Sequence, residues 1–168
     1  AKYFHQAISS ILNQTYTDIE LVIVNDASPE DLDTIVSSFD DSRIRYYKNK
    51  ENIGGRNLVA QWNKCLEYAT GEYVILASDD DIYFPEYLSK MSELVDKYPD
   101  VNVFRPRVQL IDGNDNVIRV EGYLVEHISS LEFMYFLQRD LISSGVPYFI
   151  FRKDALLDMG GFCQYPMA

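Results

Sequence analysis

The sequence has little cysteine, little histidine, no long apolar run and no excess of positive charge. Its two cysteines, Cys65 and Cys163, and its two histidines, His5 and His127, lie far apart. That excludes zinc-ligand spacing and a disulfide framework, and points to reduced thiols and a cytoplasmic setting. No apolar stretch approaches the ~20 residues that span a bilayer, and no signal peptide is visible. Lysine and arginine total 15 against 26 aspartates and glutamates, a net charge of −11. A nucleic-acid groove needs a basic stripe to replace phosphate counterions, so no nucleic-acid partner is expected. Direct docking on anionic lipid is disfavoured for the same reason.

What is present suits one domain with a sizeable core: 168 residues, 47% hydrophobic and 14% aromatic. The chain opens at Ala1 inside a helical pattern and closes at Ala168 after Gly160-Gly161. Both ends read as cuts within a longer protein.

Phe4, Ala7, Ile8, Ile11 and Leu12 follow helical spacing, and Leu21-Val22-Ile23-Val24 reads as a strand buried on both faces. Ser28-Pro29-Glu30-Asp31 predicts a helix start with Ser28 as cap. Residues 43–47 alternate as a strand. Val59, Trp62, Leu66 and Ala69 mark a helix, Tyr73 to Ala77 a strand, and Pro85 to Tyr98 a further helix. This alternation implies an α/β fold with a mainly parallel sheet and helices on both faces, its first strand lying upstream of Ala1. After Pro99 the character changes to α+β. A hairpin is expected from Val101–Ile111 and Val117–Tyr123 around Asp112-Gly113-Asn114-Asp115, then a helix over Leu131–Leu137, a strand over Tyr148–Phe151 and a helix over Lys153–Met159.

Open parallel sheets bind ligands beyond the carboxyl ends of their strands. Asn25-Asp26 follows one strand and Ser78-Asp79-Asp80-Asp81 another. Three adjacent carboxylates repel one another unless a cation intervenes, and a hard divalent ion takes such oxygens while sharing phosphates. The same run also reads as a solvated loop in which Asp80 or Asp81 caps the helix opened by Pro85.

The run from Ala7 to Ser28 resembles the opening of family 2 glycosyltransferases of the GT-A fold. Gly71-Glu72-Tyr73-Val74-Ile75-Leu76-Ala77-Ser78-Asp79-Asp80-Asp81 with Pro85 is similar to their DXD region, and Gly160-Gly161-Phe162 to their late GGF turn. The three landmarks occur in order over almost the whole chain. The resemblance implies a bacterial enzyme of polysaccharide biosynthesis, made of a single GT-A domain fragment over residues 1–168. Residues 1–99 would be the nucleotide-sugar-binding half and residues 100–168 an incomplete acceptor-side half.

By the same resemblance Asp26 would meet the nucleobase (usually uracil) and Asp79 the ribose. Asp80 would ligate Mn²⁺ or Mg²⁺, with Asp81 as a second, less constrained ligand. Arg56 and Asn63, with Asn52 and Gly54, would border the donor nucleotide. Ser78 departs from the commoner Asp-x-Asp-Asp pattern and loosens the expected ribose contact.

The implied reaction is inverting, metal-dependent transfer from a nucleoside-diphosphate sugar to a hydroxyl of a glycan or lipid-linked acceptor. It would take place in the cytoplasm or at the inner membrane face, with peripheral membrane association through regions outside the chain. Its general base lies downstream of the GGF turn in the resembled family. No Asp or Glu occurs after Phe162, so the catalytic residue is expected outside the chain. Weaker candidates within it are Glu121, Glu126, Asp154, Asp158, His5 and His127, with Ser143-Ser144-Gly145 as an acceptor-side segment. Two other readings stay open: a non-catalytic nucleotide-sugar-binding module, and a sugar-phosphate nucleotidyltransferase.

Overall fold

The computed structural model describes residues 2–122, 125–142 and 145–163. Helix α1 (Phe4–Leu12) buries Ala7 and Ile8. Strand β1 (Leu21–Asn25) pairs in parallel with β2 (Ile44–Lys48), from Leu21 opposite Ile44 to Asn25 opposite Lys48. Between them lies helix α2 (Leu32–Ser37). Ile8, Ile23 and Val36, one from each of α1, β1 and α2, make the first core, and Phe4, Leu12, Phe39 and Tyr46 close around it. Burying aliphatic side chains of this size stabilises by about 1.5–3 kcal/mol each. β1 is less enclosed than its apolar run suggests. It pairs with β2 alone among the described residues, and Leu21, Val22 and Val24 stay half-buried.

Helix α3 (Leu58–Tyr68) starts where the Asn57 side chain accepts the Ala60 N–H, and it leads into strand β3 (Tyr73–Ile75). Helix α4 (Tyr87–Lys97) then packs on the second core. That core joins Met91 to Phe104 of β4 (Val103–Phe104) and Ile150 of β7 (Ile150–Arg152). The hairpin β5 (Gln109–Ile111) and β6 (Val117–Val120), helix α5 (Ser130–Gln138) and helix α6 (Lys153–Asp158) complete the chain. The α/β class holds. The parallel pairing is β1–β2, whereas β7 lies antiparallel between β3 and β4.

Three local expectations are corrected. α2 starts after Asp31 and not at Ser28, because the Asp31 carboxylate takes both the N–H and the hydroxyl of Thr34, at 3.0 and 2.6 Å. Ser28 is drawn off: its N–H donates to Asn25 Oδ1 at 2.9 Å and its hydroxyl accepts from Glu30. The single strand expected over Val101–Ile111 divides into β4 and β5. Pro106 has no N–H to offer a ladder, and Arg105 and Arg107 turn towards Glu121 instead. Tyr148 belongs to a 3₁₀ turn (Val146–Tyr148) opened by Pro147, so β7 begins at Ile150. Tyr123, the expected end of the hairpin, lies outside the described residues.

Candidate functional site

At the carboxyl end of β1, Asn25 donates to Tyr46 Oη at 2.9 Å, and Ala27 takes a left-handed φ of 52°. The Asp26 carboxylate beside it pins the loop after β2. It accepts the Asn49 amide at 2.7 Å, the Ile53 N–H at 2.9 Å and the Gly54 N–H at 2.7 Å. Burial alone would raise the Asp26 pKa, but those three donors outweigh it and hold the carboxyl below its usual range. A Cβ on Gly54 would stand 3.0 Å from Asp26 Oδ2, so this close approach is one that glycine permits. Arg56, on the same loop, is in solvent: its side chain is 83% exposed and 3.7 Å from Glu51. An exposed pair of that length contributes little.

The acidic run stands beyond β3. Asp79 and Asp80 are exposed and Asp81 is half-buried. The Asp81 carboxyl is pushed up by burial first and by Asp80 next, with a hydrogen bond from Ser78 opposing and Asp79 adding to the rise. Neither Asp80 nor Asp81 caps α4, whose N-cap is Glu86 with no side-chain cap bond. The capping alternative is thereby removed. The loop that follows is held from below by Gln14, only 4% exposed. Its amide donates to Ser10 O at 3.0 Å and Phe84 O at 2.8 Å, and its carbonyl oxygen accepts the Leu88 N–H at 2.9 Å. Sequence reading missed Gln14, since nothing local marks a polar residue whose partners lie some seventy positions away.

Asn63 sits on α3 and faces the GGF turn. Its Oδ1 accepts the Phe162 N–H and its Nδ2 donates to Phe162 O, both at 2.9 Å. Gly160 and Gly161 have φ of +90° and +81°, a left-handed backbone that side chains other than glycine rarely adopt. A Cβ on Gly161 would lie 2.6 Å from Asn63 Oδ1. Phe162 then meets Trp62 and Phe151 edge-on, at 6.0 and 5.8 Å.

The far wall is built on Glu121. Its side chain is 3% exposed and that of Arg105 10%, and the Arg105 guanidinium donates to both carboxylate oxygens at 3.1 and 2.9 Å. The Val108 N–H reaches the same carboxylate at 3.0 Å. Tyr148 completes this wall. Its hydroxyl pKa is raised by burial, then by Asp81, Glu121 and Asp80, while Arg105 opposes. Of the carboxylates weighed as a base, Glu121 is therefore fixed in an ion pair. Glu126 is bonded to Lys97 and Tyr98 at 2.5 and 3.1 Å, and Asp154 and Asp158 are exposed on α6. His5 packs on Phe39 and His127 on Tyr98. Ser143 and Ser144 lie outside the described residues.

Among the described residues no three histidine, cysteine, aspartate or glutamate side chains form a ready cation cage. The donor set nevertheless fits a hard divalent ion. Mg²⁺ takes one or two carboxylates and completes its shell with water and substrate phosphates, and Asp80 and Asp81 offer adjacent carboxylates beyond β3. No helix among the described residues is long and apolar enough to cross a membrane.

Comparison with known proteins bears on the family and the fold. An uncharacterized glycosyltransferase of Methanocaldococcus jannaschii is 31% identical over 121 residues, covering 70% of this chain and 41% of that protein. One of Rickettsia typhi is 32% identical over 103 residues, 61% of this chain and 31% of that protein. S. aureus TarS 1-349, solved in complex with UDP-GlcNAc, superposes with a TM-score of 0.73 at 20% identity, over 95% of this chain and 44% of that one. The mannosyltransferase PcManGT from Pyrobaculum calidifontis, solved with GDP-Man and Mn²⁺, gives 0.64 at 19% identity, over 97% and 44%. These likenesses show a shared GT-A fold, and the chain spans less than half the length of each of the four proteins. The sequence profile of glycosyl transferase family 2 matches residues 1–160, and the chain belongs to that family.

Proposed function

We propose that the protein transfers a sugar from a nucleoside-diphosphate donor, of the UDP class, to an acceptor hydroxyl with inversion, and that it depends on a divalent cation. One observation supports the proposal above others: Asp79, Asp80 and Asp81 stand together beyond the end of β3, and none of them caps α4. Asp80 and Asp81 would hold the cation, and Asp79 would face the ribose. When bound, Mn²⁺ or Mg²⁺ supplies positive charge against the departing diphosphate. Asp26 fixes the loop that borders the nucleotide and leaves the edge of its carboxylate for the base. Arg56, exposed on that loop, would offset phosphate charge. Asn63 acts through the GGF turn that it clamps. The chain's contribution is therefore to position the donor. The acceptor is a glycan or lipid-linked hydroxyl met in the cytoplasm or at the inner face of the membrane.

The test is calorimetric titration of donor with and without Mn²⁺. Asp80→Ala is expected to abolish the Mn²⁺-dependent part of binding, a loss of at least about tenfold, since a charged ligand to the cation is removed. Unchanged Mn²⁺-dependent binding in that variant would sink the assignment.

A second reading, a non-catalytic nucleotide-sugar-binding module, draws on the engagement of Glu121 and Glu126 in ion pairs. Release of nucleoside diphosphate by the full-length protein, stimulated by acceptor, separates the two.

A further inference from the structure

The β-strand registers bring three chain segments to one edge. Ile150 of β7 lies opposite Ile75 of β3 on one side and Phe104 of β4 on the other. Because β7 is antiparallel to both, the residues that follow β3 and β4 and those that precede β7 leave the sheet at the same end. The acidic run follows β3, Arg105 follows β4, and Tyr148 and Phe149 precede β7. Tyr148 thus stands between the donor-side carboxylates and the Glu121 wall.

Its placement is tightly set. A Cβ on Gly145 would fall 2.6 Å from Tyr148 Cε2 and 3.0 Å from Cζ, so the ring fills the space that a side chain at residue 145 would need. The Tyr148 N–H donates to Gly145 O at 3.0 Å. On the other side the Arg105 guanidinium, oriented by Glu121, lies 5.8 Å from the ring of Phe149. The ring is thus set at residue 145, next in the chain to the Phe149 that Arg105 covers.

We propose that Tyr148 is a sugar-positioning residue: its ring and hydroxyl receive the hexosyl group of the donor between the acidic run and the acceptor-side wall. This rests on the functional reading above. In an in-line transfer the sugar sits between its leaving diphosphate and the incoming hydroxyl. The diphosphate belongs to Asp80 and Asp81, and the acceptor enters from the Glu121 side, so the boundary residue meets the sugar. A tyrosine suits that place, since its ring face takes sugar C–H groups and its hydroxyl gives one directed hydrogen bond.

The experiment is Mn²⁺-supplemented calorimetry on the full-length protein with UDP, UDP-glucose, UDP-N-acetylglucosamine and GDP-mannose, comparing wild type, Tyr148→Phe and Gly145→Ala. The best-bound nucleotide sugar is expected to lose about five- to tenfold in affinity in Tyr148→Phe, the scale of one hydrogen bond, while free UDP binds as in wild type. Gly145→Ala, which must push the ring aside, is expected to weaken the same ligand and spare UDP. Equal sugar affinity in wild type and Tyr148→Phe overturns the proposal, as does a parallel loss for UDP, which would show a structural role. Failure of wild type to bind any of the four overturns the functional reading itself.

Discussion

Replacing Asn63 by alanine separates a clamp from a ligand contact. The wild-type amide makes two hydrogen bonds to one backbone unit, Phe162 N–H and Phe162 C=O, each 2.9 Å. Each contributes about 1 kcal/mol, and a half-buried partner left unsatisfied adds to the loss, so Asn63→Ala should destabilise by about 2–3 kcal/mol. For a domain of this size 1 kcal/mol corresponds to roughly 2–4 °C in Tm, which gives a drop of about 4–12 °C by circular dichroism. Asn63→Asp should do no better. It keeps an acceptor for the Phe162 N–H but turns a carboxylate oxygen on the Phe162 carbonyl. Because the amide is spent on the turn, the affinity for free UDP should change less than about twofold, RT ln 2 being well under 1 kcal/mol. A variant that melts like wild type but loses nucleotide binding would refute this reasoning and return Asn63 to direct contact with the donor.

Other outcomes follow from the same geometry. Gln14→Ala should lower stability by about 2–4 kcal/mol, because the Leu88 N–H and the Phe84 carbonyl lose a buried partner; urea unfolding reads this directly. Glu121→Ala should cost about 3–5 kcal/mol by leaving the Arg105 charge buried, and the Glu121→Ala/Arg105→Met double variant should recover part of it in the same assay. Burial works to raise the Glu20 pKa, but the Thr70 N–H, Arg45, the Thr70 hydroxyl and the Gly71 N–H outweigh it and lower it from 4.5 to about 2. A depressed carboxyl stabilises above its unfolded pKa and loses that contribution as pH falls through the folded one. Acid unfolding between pH 4.5 and about 2 should therefore be shallower in Glu20→Gln. Burial, aided by Asp26, pushes the Cys65 thiol up to about 11, so iodoacetamide at neutral pH should label exposed Cys163 and spare Cys65, as peptide mass spectrometry would show.

Much of this is legible in the sequence. The apolar periods located α1, α3 and α4 because each buries one stripe against a sheet. The acidic positions at strand ends, Asp26 and Asp79 to Asp81, stood out because turn chemistry interrupts apolar runs there. What could not be read were pairings between residues far apart in the chain. Asn63 meets Phe162, Gln14 meets Phe84 and Leu88, and Arg105 meets Glu121. No local pattern encodes these, since any polar side chain at those positions looks equally solvated. The division of β4 from β5 at Pro106 was passed over when one strand was expected there, and the partner of β4 had no local signal. The start of α2 was misplaced because Ser28 and Asp31 compete as caps, and only the Asn25 side chain, which takes the Ser28 N–H, decides the contest.

The position of β7 bears on the order in which the molecule is made. Among the described residues, β3 and β4 each find their ladder partner in β7 alone. A ribosome releases the strand that carries the acidic run long before it releases the strand that seals it. Until then the edges of β3 and β4 stay open to other chains. The closing event is a distant loop closure, which is slow relative to local helix formation. The same late strand sets Tyr148 beside the carboxylates. Pairing of β7 therefore covers the edges of β3 and β4 and sets Tyr148 in place in one step, and truncation before Ile150 should yield an aggregation-prone chain rather than a smaller binding domain.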